Sequence, residues 1–477
     1  MIKLPEARGL SSAEQFALDL LVDLSRLAPA SPLLEVTRLE VSNGQNSRDL
    51  RGWEAAGWGI ELADGVVRVP RAILRAAVDV AGAAVEQRAT DRDRYGRVPS
   101  SANPLVREGL ERHPVIQRAA LALQVAARKA AGRRAFRTVA AWPDGRRWAA
   151  AFTHDLDVVA WWPAFTLLRI AELARKGAFA RIATVAASAV SSAGFDPVTQ
   201  GVVGVLNSEA NARIRSTWFI LSGTPTLQTM RAGDLTYSPE STKARGIIAQ
   251  VRAIGHEIAL HGSFATLADT EVFGEQRQRL EAIAGSPVRG IRQHYVRIQP
   301  GVTERAMVTA GFLYDSTYGF PDRNGFRLGV ADIVPRWDAE ANTSIAIDEA
   351  PFTWMDRALS KYRGIERPAA WSEDALELAA TARSVGGLWI GLWHPNLTPA
   401  LGFPEAPAAY VATIAGVLAE SPFVAPLETI VEWRRARRTV RVDAIAPDGG
   451  VEASIRVASR FQLRLEDAAG RLAETAE

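Results

Sequence analysis

The chain holds six histidines, and five of them lie in short segments of one shape: an apolar, strand-like run that stops at polar and ionisable residues. Trp148–Asp157 (WAAAFTHDLD) ends in two carboxylates at alternate positions, Asp155 and Asp157, and Leu388–Asn396 (LWIGLWHPN) carries His394. Between them, Gly255–Thr266 (GHEIALHGSFAT) carries His256 and His261, and Val288–Tyr295 (VRGIRQHY) carries Arg292 and His294. Phe312–Gly319 (FLYDSTYG) has the same shape without a histidine and offers Asp315. Histidine titrates near neutral pH and is the commonest metal ligand, so this distribution points to an active site rather than to scattered surface residues.

Alternate residues of a strand project to one face, so Asp155 and Asp157 form a pair. Two adjacent carboxylates favour a cation between them, and a metal bound by one leaves the other as a base toward water. The same pair could instead cap the helix that follows. His154 faces the opposite way and reads as framework. His261 ends its strand in the position of the aspartates and suits a metal ligand, whereas His256, behind Gly255, suits a turn or helix end. Arg292 is placed to keep a catalytic carboxylate ionised and oriented. His294, on the same face, is open to three roles: ligand, substrate contact or satisfied core residue. Asp315 is either a site residue or, with Ser316 and Thr317, a helix cap. His394 is a natural general acid for a leaving group. His113, next to Pro114, reads as a helix-start residue. Trp161, Trp162, Trp354, Trp389 and Trp393 lie near these segments, as sugar-stacking faces or as core.

The elements that must position these residues follow from periodicity. From about 146 to 435, strand-like runs alternate with helical ones. The expected strands are Trp148–Thr153, Ser216–Leu221, Glu257–His261, Val288–His294, Phe312–Ser316, Thr343–Ile347 and Leu388–Trp393. Helical segments include Ser241–Ile254, Asp269–Ala284, Val302–Ala310 and Ser372–Val385. Strands separated by helices imply parallel crossovers, and about seven of them suit a closed or nearly closed barrel with its chemistry at the strand ends. The Ala-rich segment 163–213 reads as a helical insertion. Residues 1–140 read as a separate mixed α/β unit, with helices over Ser11–Leu27 and Val115–Ala131, short strands near Leu34–Val41 and Val66–Val69, and a boundary turn at Trp142–Gly145. Residues 438–477 alternate as a small β appendage with a turn at 447–450.

Composition excludes several classes. The 477 residues are 48% hydrophobic and 23% charged, ordinary for a globular chain with more than one domain. The 56 basic and 53 acidic residues give a formal charge of +3, too balanced for a nucleic-acid binder. With no cysteine, there is no thiolate ligand or nucleophile, and any metal must be held by His, Asp, Glu and water. No leader sequence and no long apolar span are read, so the expected location is the cytoplasm, with no membrane span.

In order and residues, these segments resemble the polysaccharide deacetylase family, the NodB-homology or carbohydrate esterase family 4 domain. THDLD stands at its first motif, GHEIALHGS at its second, IRQHY at its third, YDSTYG in its fourth region and LWHPN at its last, covering roughly 146–435. The resemblance implies a distorted (β/α)7 barrel and a divalent metal, expected to be zinc, that serves removal of N-acetyl groups from an amino-sugar-containing glycan or its precursor. It implies Asp155 as base, Asp157 and His261 as metal ligands, Arg292 orienting Asp155, and His394 as acid, with Asp315 in the fourth region. One departure is Ala265, which stands where the family's second motif usually places its other histidine. His294 is the candidate third ligand. Two other readings stay open: an inactive carbohydrate-binding or scaffold protein on the same barrel, and hydrolysis of a non-sugar C–N bond.

Overall fold

The computed structural model describes all residues except 5–8, 44–49, 56, 133–135, 160–163, 192–195, 233, 235–236, 366, 446–450, 458–459, 462, 468–471 and 476–477. Trp161, Trp162 and the turn expected at 447–450 fall outside the described residues.

A ten-stranded sheet forms the centre. In chain order its strands are β1 (Ala149–Leu156), β2 (Thr217–Leu221), β3 (Glu257–Gly262), β4 (Gly290–Gln293), β5 (Tyr314–Asp315), β6 (Val334–Asp338), β7 (Thr343–Glu349), β8 (Trp354–Met355), β9 (Leu388–Trp393) and β10 (Phe423–Val424). Their spatial order is β6-β7-β5-β4-β3-β2-β1-β9-β8, and β10 pairs with the start of β1. Every ladder is parallel except the β6–β7 hairpin. The seven expected strands are present, and the sequence reading missed β6, β8 and β10. β8 and β10 are two-residue strands, too short to carry a periodicity of their own. Among the described residues no ladder joins β6 to β8, so hydrogen bonding does not close the sheet into a ring.

The two-residue period of β1 sorts its side chains between two environments. Ala150, Phe152 and Leu156 enter the core formed with the surrounding helices, whereas Ala149 and Ala151 belong to a second cluster on the other face. That other face also takes Phe219 of β2, Ala259 of β3 and Leu388, Ile390 and Leu392 of β9. Small alanines leave room there. Continuing the same parity toward the strand ends places Asp155 and Asp157, His261, Arg292 and His294, and His394 on that face, and His154 on the helix face.

The segment after β1 is helical, as expected, over Ala164–Arg175, Phe179–Ser191 and Pro197–Ala212. In the N-terminal region, Ser11 and Glu14 form a reciprocal capping box that starts the helix Ser12–Leu24 (Glu14 N to Ser11 Oγ 3.2 Å, Ser11 N to Glu14 Oε2 3.0 Å). That region shares its apolar core with Tyr318, Leu328, Val330, Val334 and Trp337. Asp23, at the end of the same helix, receives Arg434 at 2.9 and 3.1 Å and Arg438 at 3.3 Å from the helix Leu427–Arg438. Burial pushes the Asp23 carboxyl up, but Arg434, Arg437 and Arg438 outweigh it and hold it well below the usual carboxylate range. Beyond that helix, Arg441–Ile445 pairs with Val451–Ser454, and Arg464–Glu466 pairs with Thr138–Val139. No helix among the described residues is long and apolar enough to cross a membrane.

Candidate metal-dependent active site

Four strand ends deliver their polar residues to one cleft of about 220 Å³, whose wall includes Asp155, Asp157, His261, His294 and His394. Gly262, which closes β3, allows this approach: a Cβ there would lie 1.9 Å from Gln293 Oε1.

Asp157 is the focus. Three imidazoles point Nε2 at its carboxylate: His261 at 3.2 Å and His294 at 3.6 Å from Oδ1, and His394 at 3.6 Å from Oδ2. His261 places Nδ1 2.9 Å from the Arg292 carbonyl, so its ring proton sits on Nδ1 and Nε2 presents a lone pair. A lone pair then faces the carboxylate, and Asp157 Oδ1 is buried without a hydrogen-bond donor. Such an arrangement calls for a cation between the two groups. Asp157, His261 and His294 offer ligand atoms that all lie within 4.8 Å of one another. One carboxylate oxygen and two imidazole nitrogens suit zinc with an open fourth position. The residues therefore fit the ion. Burial pushes the Asp157 carboxyl up, but positive charge on His294, and then on His394, holds it well below the usual range.

His294 is oriented by Asp234, whose Oδ1 lies 3.1 Å from its Nδ1 and whose Oδ2 accepts the Phe264 amide at 2.6 Å. Burial disfavours charge on His294, yet Asp157, Asp234 and Asp155 raise its pKa on balance. After His294 the chain turns sharply: Tyr295 and Val296 hold φ of 60° and 58°, a left-handed geometry that is uncommon for side-chain-bearing residues and an outlier for valine. Strain of this kind costs on the order of 1–3 kcal/mol per residue and collects at functional sites. Three contacts secure it. The Tyr295 ring stacks on His294 at 4.0 Å and on Tyr95 at 4.7 Å, and Arg97 donates to the Tyr295 carbonyl at 2.8 Å. Tyr95 and Arg97 come from the N-terminal region, in which the sequence showed no motif.

Asp155 is held by Arg292, which is fully buried and donates to Oδ1 at 2.8 Å. The remaining guanidinium hydrogens reach Thr153 Oγ1 at 3.0 Å, the Ser316 carbonyl at 3.0 Å and Ser316 Oγ at 2.8 Å, and the faces of Phe219 and Phe352 flank the group. Asp155 keeps Oδ2 toward the cleft, 3.6 Å from His261 Nε2.

His394 is bound twice by Asp356, through its backbone amide at 2.7 Å and Nδ1 at 2.6 Å. Burial opposes charge on this imidazole, but Asp356, then Asp157 and Asp155, raise its pKa. Asp356 and Asp234 are the functional residues that sequence reasoning missed. Asp234 lies outside the strand-end segments, and Asp356 follows β8, a two-residue strand that no periodicity announces, so only the folded chain brings each to its histidine.

The remaining sequence-stated candidates lie elsewhere. Asp315 does not line the cleft. It accepts from Thr317 at 2.5 Å, and burial and the charge of Glu304 push it up to about 7 against the hydrogen bonds it makes with Thr317, Glu349 and the Ser316 amide. His154 bonds Glu209 at 2.9 Å, and His256 accepts the Ser216 amide at 2.9 Å, with Glu209 between the two rings. His113 precedes the helix Val115–Ala131. Trp354, Trp389 and Trp393 are buried in the helix-side core rather than open to the cleft. Ala265 lies in the turn after β3 and is not part of the cleft wall.

No protein-family model matches the chain, and none of the curated proteins compared with it matches. Solved structures do. A structure from Mycobacterium smegmatis assigned as a polysaccharide deacetylase is 26% identical, with 62% of this chain and 93% of that one covered and a TM-score of 0.42. PuuE allantoinase is 15% identical, with 63% and 93% covered and a TM-score of 0.41. The peptidoglycan deacetylase PdaC from Bacillus subtilis is 10% identical, with 62% and 96% covered and a TM-score of 0.30.

Proposed function

We propose that this chain is a metal-dependent hydrolase that removes N-acetyl groups from an amino-sugar-containing glycan or glycan precursor. The observation that carries the reading is the convergence of three imidazole Nε2 atoms on Asp157 beside the buried Asp155–Arg292 pair. The five-motif resemblance supplies the substrate class, and the parallel strand order supports reading the sheet as that family's distorted (β/α)7 barrel, over about 146–435, between the 1–140 unit and the 438–477 appendage.

Asp157, His261 and His294 would hold the ion, with zinc the best match to the donor set. When bound, it supplies Lewis-acid polarisation of the acyl carbonyl and makes water more acidic. The rest is done by the chain's own groups. Arg292 fixes the orientation of the Asp155 carboxylate, so that Oδ2 takes a proton as water adds to the acyl carbon. The C–N bond then breaks, and His394 delivers the proton from Nε2 to the departing nitrogen. Asp356 holds His394 with Nδ1–H directed away from the cleft, which keeps Nε2 facing the reaction. Asp315 has no part in this scheme.

The test is acetate release from N-acetylated amino sugars by protein loaded with zinc and by the same protein after chelation. Metal-dependent release supports the reading. Release only from small non-sugar amides moves the activity to another C–N bond, and no release from either class leaves a binding protein.

A further inference from the structure

Arg357 and Lys361 line the cleft that holds the candidate catalytic groups. Arg357 caps the start of a single π-helical turn, Ala358–Tyr362, which begins two residues after Asp356 and contains Lys361, and their spacing of four residues puts both cations on one side of that turn. Isolated π-turns are frequent at functional sites.

The cations of this wall differ in their commitments. Arg97 is neutralised, donating to Asp93 at 2.8 Å and lying 2.7 Å from it through a second nitrogen. Arg357 and Lys361 form no ion pair and no hydrogen bond with any described residue. The Lys361 ammonium faces the Tyr295 and Tyr362 rings, at 5.8 and 5.4 Å from their centres. These two neighbouring cations repel each other in the wall of a cleft that also holds carboxylates and imidazoles, and no carboxylate among the described residues is in ion-pair contact with either. Crowding of protein around the Lys361 ammonium and the like charge of Arg357 lower its pKa to about 8, against the opposing pull of Asp157.

We propose that Arg357 and Lys361 form an anion subsite, so that the substrate is an acylated amino sugar bearing a phosphate or carboxylate group. This rests on the amide-hydrolase reading of the cleft. A planar guanidinium offers a fork to either anion, and the ammonium adds a point charge beside it. The chain segment that grips the anion is the one that carries Asp356, so substrate recognition and the His394 proton donor are held by neighbouring residues.

The experiment is calorimetric titration of chelator-treated full-length protein, which cannot turn over, with N-acetylglucosamine, its 1-phosphate, its 6-phosphate and the corresponding C6 uronic acid. At least one anionic probe is expected to bind about tenfold or more tightly than the neutral sugar, and Arg357→Gln and Lys361→Gln each to remove most of that difference. Which probe gains tells phosphate from carboxylate. Equal binding of neutral and anionic probes, no binding of any, or a preference that survives both substitutions overturns the subsite. Turnover is read separately on zinc-loaded protein. Anion preference without acetate release refutes the hydrolase reading alone, and acetate release without anion preference refutes the subsite alone.

Discussion

Replacing Asp356 by asparagine isolates the contribution of the His394 proton. Asp356 is fully buried, and its two oxygens receive the His394 amide at 2.7 Å and Nδ1 at 2.6 Å. Asparagine is nearly isosteric and can still accept the backbone amide with its carbonyl. Its NH2 group then faces Nδ1 and needs a lone pair there, which disfavours the doubly protonated imidazole. The lost interaction is a charge-assisted hydrogen bond, worth about 1.5–3 kcal/mol. Spent entirely in the step that expels the amine, it lowers kcat by roughly 10- to 150-fold. KM and metal content should stay near those of the unmodified protein, because Asp356 contacts His394 and no proposed metal ligand. The assay is steady-state acetate release with zinc measured on the same samples. An Asp356→Asn protein with unchanged kcat, or one that loses activity only by losing zinc, refutes the assignment of His394 as acid.

Three further outcomes follow from the geometry. Asp234→Asn should weaken zinc binding by about 10- to 100-fold in competition with a chromogenic chelator, because it releases the Nδ1 side of His294. Asp23→Asn should destabilise the protein by about 1.5–3 kcal/mol in urea unfolding, since it removes one of the two carboxylates shared by the buried Arg434 and Arg437, which keep Asp332. The pKa of the Asp23 carboxyl is depressed in the folded state, so its contribution is present above the unfolded value and lost as pH falls. Glu257 behaves oppositely: burial and the Glu428 charge raise it from 4.5 to about 7, against hydrogen bonds from the Glu428 amide, Tyr314 and Thr217. The folded state retains this proton while the unfolded chain releases it, so stability declines by about 3 kcal/mol as pH rises from 4.5 to 7. Glu257→Gln should lack that decline when unfolding is compared at pH 5 and pH 7.5.

The strand ends were legible because a two-residue period needs no partner to be read. One parity places Asp155 and Asp157 together and sends His154 to Glu209 on the helix side. His294 was legible as a candidate third ligand, but what aims it was not. Its aim depends on Asp234, which precedes β3 by many residues, and on the left-handed Tyr295 and Val296, whose sequence contains no glycine to announce the turn. Asp315 misled for the converse reason. It ends a strand of the same appearance, but its neighbours in space are Thr317, Glu304 and Glu349, which no local pattern reveals. Tyr95 and Arg97 were silent because they support the site from outside the alternating region, through a ring face and a backbone carbonyl. Closure of the sheet was also beyond periodicity, since two-residue strands such as β8 depend on their neighbours for existence.

Zinc stoichiometry of the His294→Ala protein tests the central claim most directly. The unmodified chain, stripped and then titrated, should bind one ion through Asp157, His261 and His294. Without His294 only two protein ligands remain, too few for a stable site. The account predicts a protein that stays folded but no longer retains zinc through gel filtration. Full zinc occupancy in folded His294→Ala protein would contradict it.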